Sequence, residues 1–265
     1  PFSPEGTGRG VQSVEIKTEL AADTRTADLT SIQVGFESGD RPQSLSGTGR
    51  IRWQGETDLT ISIGAQWLDI DALSGFKPEA GDSPLAALGR TFDRLPAWAR
   101  VGGGKRAVRF SIAQAALGGD TVSGITALLV GSGAATRIEE FRATVPGGGR
   151  IEAAGALTGP DVQNSRFSGM AMVRASSASR LVSWAAGTRP SSDVRYDSPI
   201  DVTGNVEFGP GSASATGLSG QAGESRFAGR IDYSWGEKPS VRIELTGPVI
   251  DVRALDTGDG KPERL

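Results

Sequence analysis

The chain contains no cysteine and no histidine among its 265 residues. Without them there is no thiolate nucleophile, no imidazole base and no zinc site of the usual kind. Disulfide pairing is excluded as well, so cysteine usage does not choose between a reducing and an oxidising compartment. Aromatic residues make up only 6%, and Met occurs twice. Charge of one sign is also lacking, with 28 basic residues against 31 acidic ones and a net charge of −3. That balance offers neither the basic patch of a nucleic-acid partner nor a polybasic cluster for anionic lipid surfaces. Long apolar runs are missing too: the longest, ITALLV at 125–130, has the length of a strand and not of a membrane span. A carboxylate pair or a Ser-Lys arrangement is the catalytic chemistry that remains open.

What the chain has in excess is glycine, 38 of 265 residues or about 14%, roughly twice average usage. Many short strands and turns suit that balance better than a thick globular core. Gly-Arg-Ile occurs three times, at 49–51, 149–151 and 229–231, each time opening a strand-like run. The first and third copies extend further: GRIRWQGETDLTISIGAQWLDIDAL (49–73) aligns with GRIDYSWGEKPSVRIELTGPVIDVRAL (229–255) when two residues are added around the turn. Reuse of such a unit points to extended sheet built by repetition. The copies lie 100 and then 80 residues apart, by subtraction of those positions, so the period is not strict.

Period-two alternation is clearest in LTISIGAQW (59–67), AVRFSIA (107–113) and VRIELTG (241–247). Each such strand buries one face only, the habit of antiparallel sheet. The fold class expected is therefore all-β, mostly antiparallel: a repetitive curled sheet with two short helices. One helix is expected over 83–98, where Ser83 can cap, Pro84 suits the first turn, and Leu85, Leu88, Phe92 and Leu95 keep helical spacing. The other is expected over 177–187, ended by Gly187. Residues 1–10 and 256–265 read as flexible ends and 11–255 as one module, with a joint near 83–100. The chain opens at Pro1 and reads as a piece of something longer.

Candidate chemistry is sparse. Asp69 and Asp71 flank Ile70, and on a strand two carboxylates at i and i+2 share a face, which makes a metal or acid/base role conceivable. The bland alternative is a pair of solvent-facing residues where a strand ends. Repetition favours it, because Asp251 occupies the matching place in the third unit. Glu139 and Glu140 would point to opposite faces as solvated surface. Gly102-Gly103-Gly104-Lys105 is followed by Arg106 where a phosphate loop needs Ser or Thr. No catalytic residue, metal ligand or cofactor is therefore assigned.

The apolar faces carry more information. Ile51, Trp53, Leu59, Ile61, Ile63 and Trp67 would form one strip, with Ile231, Tyr233, Trp235, Val241, Ile243 and Leu245 as its counterpart. Pattern alone favours a sealed sandwich core. The alternative is an open sheet whose apolar face is a groove for acyl chains, since an exposed strip of this kind exceeds what soluble monomers normally tolerate.

Three segments carry a family resemblance: FRATVPGGGRIEAAGALTG (141–159), RFSGMAMVRASSASRLVSWAAG (166–187) and RFAGRIDYSWGEKPSVRIELTGPVIDVRAL (226–255). Here the sequence resembles the AsmA family of bacterial envelope proteins, relatives of the TamB-like β-groove proteins. The resemblance covers 100–265 well and 11–75 loosely. It implies a long β-groove with an apolar interior, in a periplasmic protein anchored to the inner membrane through a segment absent from this chain. It also implies phospholipid or another envelope lipid as partner, possible contacts with envelope proteins, and a role in lipid transport or outer-membrane assembly without catalysis. The runner-up is a β-rich surface, scaffold or adhesion protein with a closed core.

Overall fold

The structure is a computed structural model that describes residues 14–38, 41–76, 84, 87, 104–133, 135–159, 166–188, 197–209, 211–234 and 240–247. Thirteen strands form one sheet, and their spatial order is their chain order. They are β1 (Val14–Ala22), β2 (Thr26–Ser38), β3 (Arg41–Arg52), β4 (Asp58–Asp69), β5 (Lys105–Leu117), β6 (Asp120–Ser132), β7 (Ala135–Val145), β8 (Gly149–Thr158), β9 (Arg166–Ala175), β10 (Ile200–Gly209), β11 (Ser212–Ala222), β12 (Ser225–Ser234) and β13 (Ser240–Thr246). Every neighbouring pair is antiparallel except β4 and β5, which run parallel. The fold is thus mostly antiparallel β, one curled open sheet, with two short helices whose bounds lie among the described residues.

The aligned repeat units become hairpins, β3–β4 and β12–β13, that open in the same direction on the sheet. Gly-Arg-Ile behaves alike in all three copies: its Gly and Ile lie on the apolar face and its Arg on the other. Polar-face charges often meet directly across strands, as in Arg50–Asp28, Arg52–Asp58 and Arg174–Asp201.

The alternation does not run unbroken through each strand. Register shifts fall near mid-strand, between Leu29 and Ile32, Ile138 and Phe141, Thr203 and Asn205, and Ala215 and Leu218. A bulge of this kind bends its strand and strengthens the local twist. Small apolar-face residues share this line. Gly155 and Gly169 lie directly opposite each other, and a Cβ on Gly155 would come within 2.6 Å of Gly169 Cα. A Cβ on Gly229 would meet Leu245 Cα at 3.0 Å. Adjacent backbones approach there more closely than any larger residue permits, so these glycines accompany the bulged line of the sheet.

Helices gather at one end of the strands. Helix α1 (Ile70–Ser74) follows β4 directly, and α2 (Ala178–Ala186) lies between β9 and β10. Ser177 caps α2 by accepting the Arg180 N–H at 3.1 Å, and Gly187 ends it in the left-handed region at φ 70°. Of the segment expected as a helix over 83–98, Pro84 and Ala87 are described and helical; its other residues lie outside the described set. The buried cluster sits beneath these helices: Ile70, Ala87, Ala115, Leu117, Val122, Ala143, Val145, Ala175, Leu181 and Trp184.

Asp69 and Asp71 do not form a strand pair. Asp69 ends β4 and caps α1, accepting the Ala72 N–H at 2.8 Å. Asp71 lies in the first helical turn, and its two carboxylate oxygens accept the N–H groups of Gly118 and Gly119 at 2.7 and 2.8 Å. The helix start replaces the i, i+2 geometry, so both carboxylates serve as structural acceptors. Asp251 lies outside the described residues. The bulge between Ile138 and Phe141 likewise changes Glu139 and Glu140. They fall together between two apolar-face residues instead of on opposite faces, and Glu140 pairs with Arg142 at 2.5 Å.

Candidate binding face

Cross-strand register carries one apolar face through the sheet. On β2 it presents Leu29, Ile32 and Val34; on β4, Leu59, Ile61 and Ile63; on β5, Val108, Phe110 and Ile112. It continues through Leu129 of β6, Leu157 of β8, Phe167 of β9 and Phe208 of β10 to Ile231 and Ile243 on β12 and β13. Along the middle strands these side chains are half-buried. At the two edge strands they are bare: Val14, Ile16 and Leu20 are 55, 65 and 61% exposed, and Val241 and Ile243 are 59 and 53% exposed. Soluble monomers seldom leave this much contiguous apolar surface without a use for it.

The two expected strips are assembled to different degrees. Ile51 lies opposite Leu59, and Ile61 and Ile63 face Gly49 and Gly47. In the second strip Ile231 lies opposite Ile243, Tyr233 opposite Val241, and Leu245 opposite Gly229. Trp53 sits past the end of β3, where its Nε1 donates to the Thr24 carbonyl at 2.9 Å. It pins the β3–β4 turn to the β1–β2 turn at the end away from the helices. Trp67 lies opposite the exposed Gln114, while the next residue, Leu68, packs against the buried cluster. Trp235 is outside the described residues.

The two segments expected as helices, 83–98 and 177–187, suited the cap of a sheet end, but the sequence did not show the contacts that hold it. There Trp184 Nε1 donates to the Leu117 carbonyl at 2.9 Å, and Arg180 pairs with Asp120 at 2.5 Å. Together with Asp71 these contacts hold the Gly118–Gly119 turn between both helices. Burial raises the Asp71 carboxyl above its ordinary value, opposed in part by the Gly119 and Gly118 N–H donors. Asp197, near the α2 N-terminus, is also pushed up by burial. Hydrogen bonds from Ser177 and the Ser179 N–H outweigh that and leave its carboxyl below the usual range. The signals available beforehand were the helix expected over 83–98, with Pro84 in its first turn, and the one expected over 177–187, ended by Gly187.

A cation also reaches the apolar face. Arg106 lies opposite Gly131 near the end away from the helices, and its guanidinium donates to Thr136 Oγ1 at 3.3 Å. The polar face carries a shallow depression of about 220 Å³ lined by Ser44, Ser46, Gly64, Gln66 and Ser111. Among the described residues no group of three or more Asp or Glu side chains is placed to hold a metal ion. No helix among them is long and apolar enough to cross a membrane. No protein-family model, curated protein or solved structure matches the chain.

Proposed function

We propose that the apolar face binds the acyl chains of a phospholipid or another envelope lipid. In this reading the protein is a non-enzymatic periplasmic module of an AsmA-like protein, attached to the inner membrane through a segment outside this chain. It serves lipid transport or outer-membrane assembly. The observation that carries the proposal is the apolar face itself: continuous from strand to strand, half-shielded along the middle and bare at both edges. An acyl chain leaving a bilayer exposes about 0.8 kcal/mol per CH₂ to water, so a carrier needs unbroken apolar lining. A sheet supplies it by pointing alternate side chains to one side. Such transfer requires no cofactor and makes no covalent bond. The second reading, a scaffold or adhesion protein with a closed core, draws on the sealed cluster beneath the helices.

The test is native mass spectrometry of protein purified from bacterial membranes. Phospholipid should accompany the wild type and be reduced or lost in Ile61→Asp, which sets a charge at mid-face opposite Gly49. A lipid-free wild type would favour the closed-core reading. So would an Ile61→Asp protein that stays folded with its lipid content unchanged.

A further inference from the structure

Among the described residues no strand pairs with the outer side of β1 or of β13, and these two edges match each other. Twelve neighbour pairs separate β1 from β13, and one of them is parallel. The remaining eleven reversals leave β1 and β13 running in opposite directions. A second copy displaced along the sheet therefore brings its β1 beside β13 of the first as an ordinary antiparallel pair, with the apolar face continuous across the junction. Both strands carry bare apolar residues on that face: Val14, Ile16 and Leu20 on one, Val241 and Ile243 on the other.

Charge selects the register. With Val241 opposite Leu20, Leu245 falls opposite Ile16 on the apolar face. On the polar face Arg242 meets Glu19 and Glu244 meets Lys17. A slip of two residues in one direction sets Glu244 against Glu15 and Arg242 against Lys17. The same slip in the other direction sets Glu244 against Glu19. Like charges directly opposite each other destabilise a strand pair, and opposite charges stabilise it. The sheet already uses this arrangement internally, at Arg50–Asp28 and Arg174–Asp201. In the single copy, Lys17 and Arg242 turn instead to Glu15 and Glu244 on their own strands at 2.9 and 2.6 Å, with exposed side chains. Such exposed pairs are easily exchanged.

We propose that copies of this chain associate head to tail, β13 of one pairing with β1 of the next in this register, and so lengthen the apolar face. The contact joins two different surfaces, so it generates rings or open chains of copies and not an isologous dimer. It needs no ligand, and its test is independent of lipid content.

The absence of cysteine makes crosslinking unambiguous. Thr18 and Ile243 lie opposite each other in the proposed register. The Thr18→Cys/Ile243→Cys protein should form, on mild oxidation, a reducible ladder at multiples of 27.4 kDa. The slipped control, Thr18→Cys/Val241→Cys, places its cysteines on a diagonal about 7–8 Å apart and should crosslink much less. Without cysteines, Lys17→Glu should weaken association in sedimentation velocity, and Lys17→Glu/Glu244→Lys should restore it. Three results would overturn the proposal: a monomer throughout with no crosslink, equal ladders from both cysteine pairs, or an intramolecular disulfide, which would show the sheet closing on itself.

Discussion

Two adjacent glycines at the capped end allow packing to be separated from backbone strain. Gly118 and Gly119 both have positive φ, 67° and 76°, and both donate their N–H to Asp71. Alanine at either position keeps both hydrogen bonds and adds the strain of a left-handed residue, about 1–2 kcal/mol. Their surroundings differ. A Cβ on Gly119 reaches nothing nearer than Phe76 at 4.0 Å. On Gly118 it would overlap the fully buried Pro84 ring and lie 3.0 Å from Trp184 Nε1. Overpacking of that kind adds about 1–3 kcal/mol. Gly119→Ala should therefore lose about 1–2 kcal/mol, and Gly118→Ala about 2–5 kcal/mol as the sum of both effects. Urea titration followed by tryptophan fluorescence reads the difference as a shift in midpoint at constant slope. Equal losses in the two variants would refute the packing of Pro84 and Trp184 over this turn.

The bend of the sheet can be probed in the same way. Gly155→Ala places a methyl group against Gly169 and should lose about 1–3 kcal/mol. Gly35→Ala meets nothing within 4 Å and should be neutral or slightly stabilising in the same denaturation assay. Stability against pH should carry two opposed contributions. The lowered carboxyl of Asp197 contributes stability above the ordinary aspartate pKa that is lost as pH falls through its folded value. The gap between wild type and Asp197→Asn, measured by denaturation at neutral and acid pH, should thus close on acidification. The raised carboxyl of Asp71 acts the other way: its contribution is full at acid pH and is lost as pH rises through its folded value. Asp71→Asn should accordingly lose more relative to wild type at acid pH than at neutral pH.

The alternation that made the strands legible is a local property, readable from residues such as Leu59, Ile61 and Ile63. So were the ends of α2, because Ser177 and Gly187 are capping residues whose chemistry is local as well. What escaped the sequence were single-residue changes of phase. One extra residue between Ile138 and Phe141 moves every later side chain to the opposite face. Neither flanking residue announces it, because an extra Glu beside Glu is compatible with strand on both sides. The same applies to Trp67, which period two assigns to the strip of Ile61 and Ile63 while Leu68 packs against the cluster. Asp71 was illegible for another reason: its partners lie 47 and 48 residues away, and the turn they form exists only once β5 and β6 have paired.

The parallel pairing of β4 and β5 explains why one end of the sheet is capped. Antiparallel neighbours can be joined by a tight turn, whereas parallel neighbours need a connection that returns along the whole strand. The chain leaves β4 at Asp69 and re-enters at Lys105, and α1, Pro84 and Ala87 belong to that crossover. The connection from β9 to β10 starts and finishes at the same end, because antiparallel β9 closes where β10 opens. Both long connections therefore deliver their helices to one place. Two segments far apart in sequence then share one buried cluster, joined through Pro84, Trp184 and the Gly118 turn. The cap is a consequence of strand direction, and the opposite end is left with hairpin turns, Trp53 and Arg106 among the described residues.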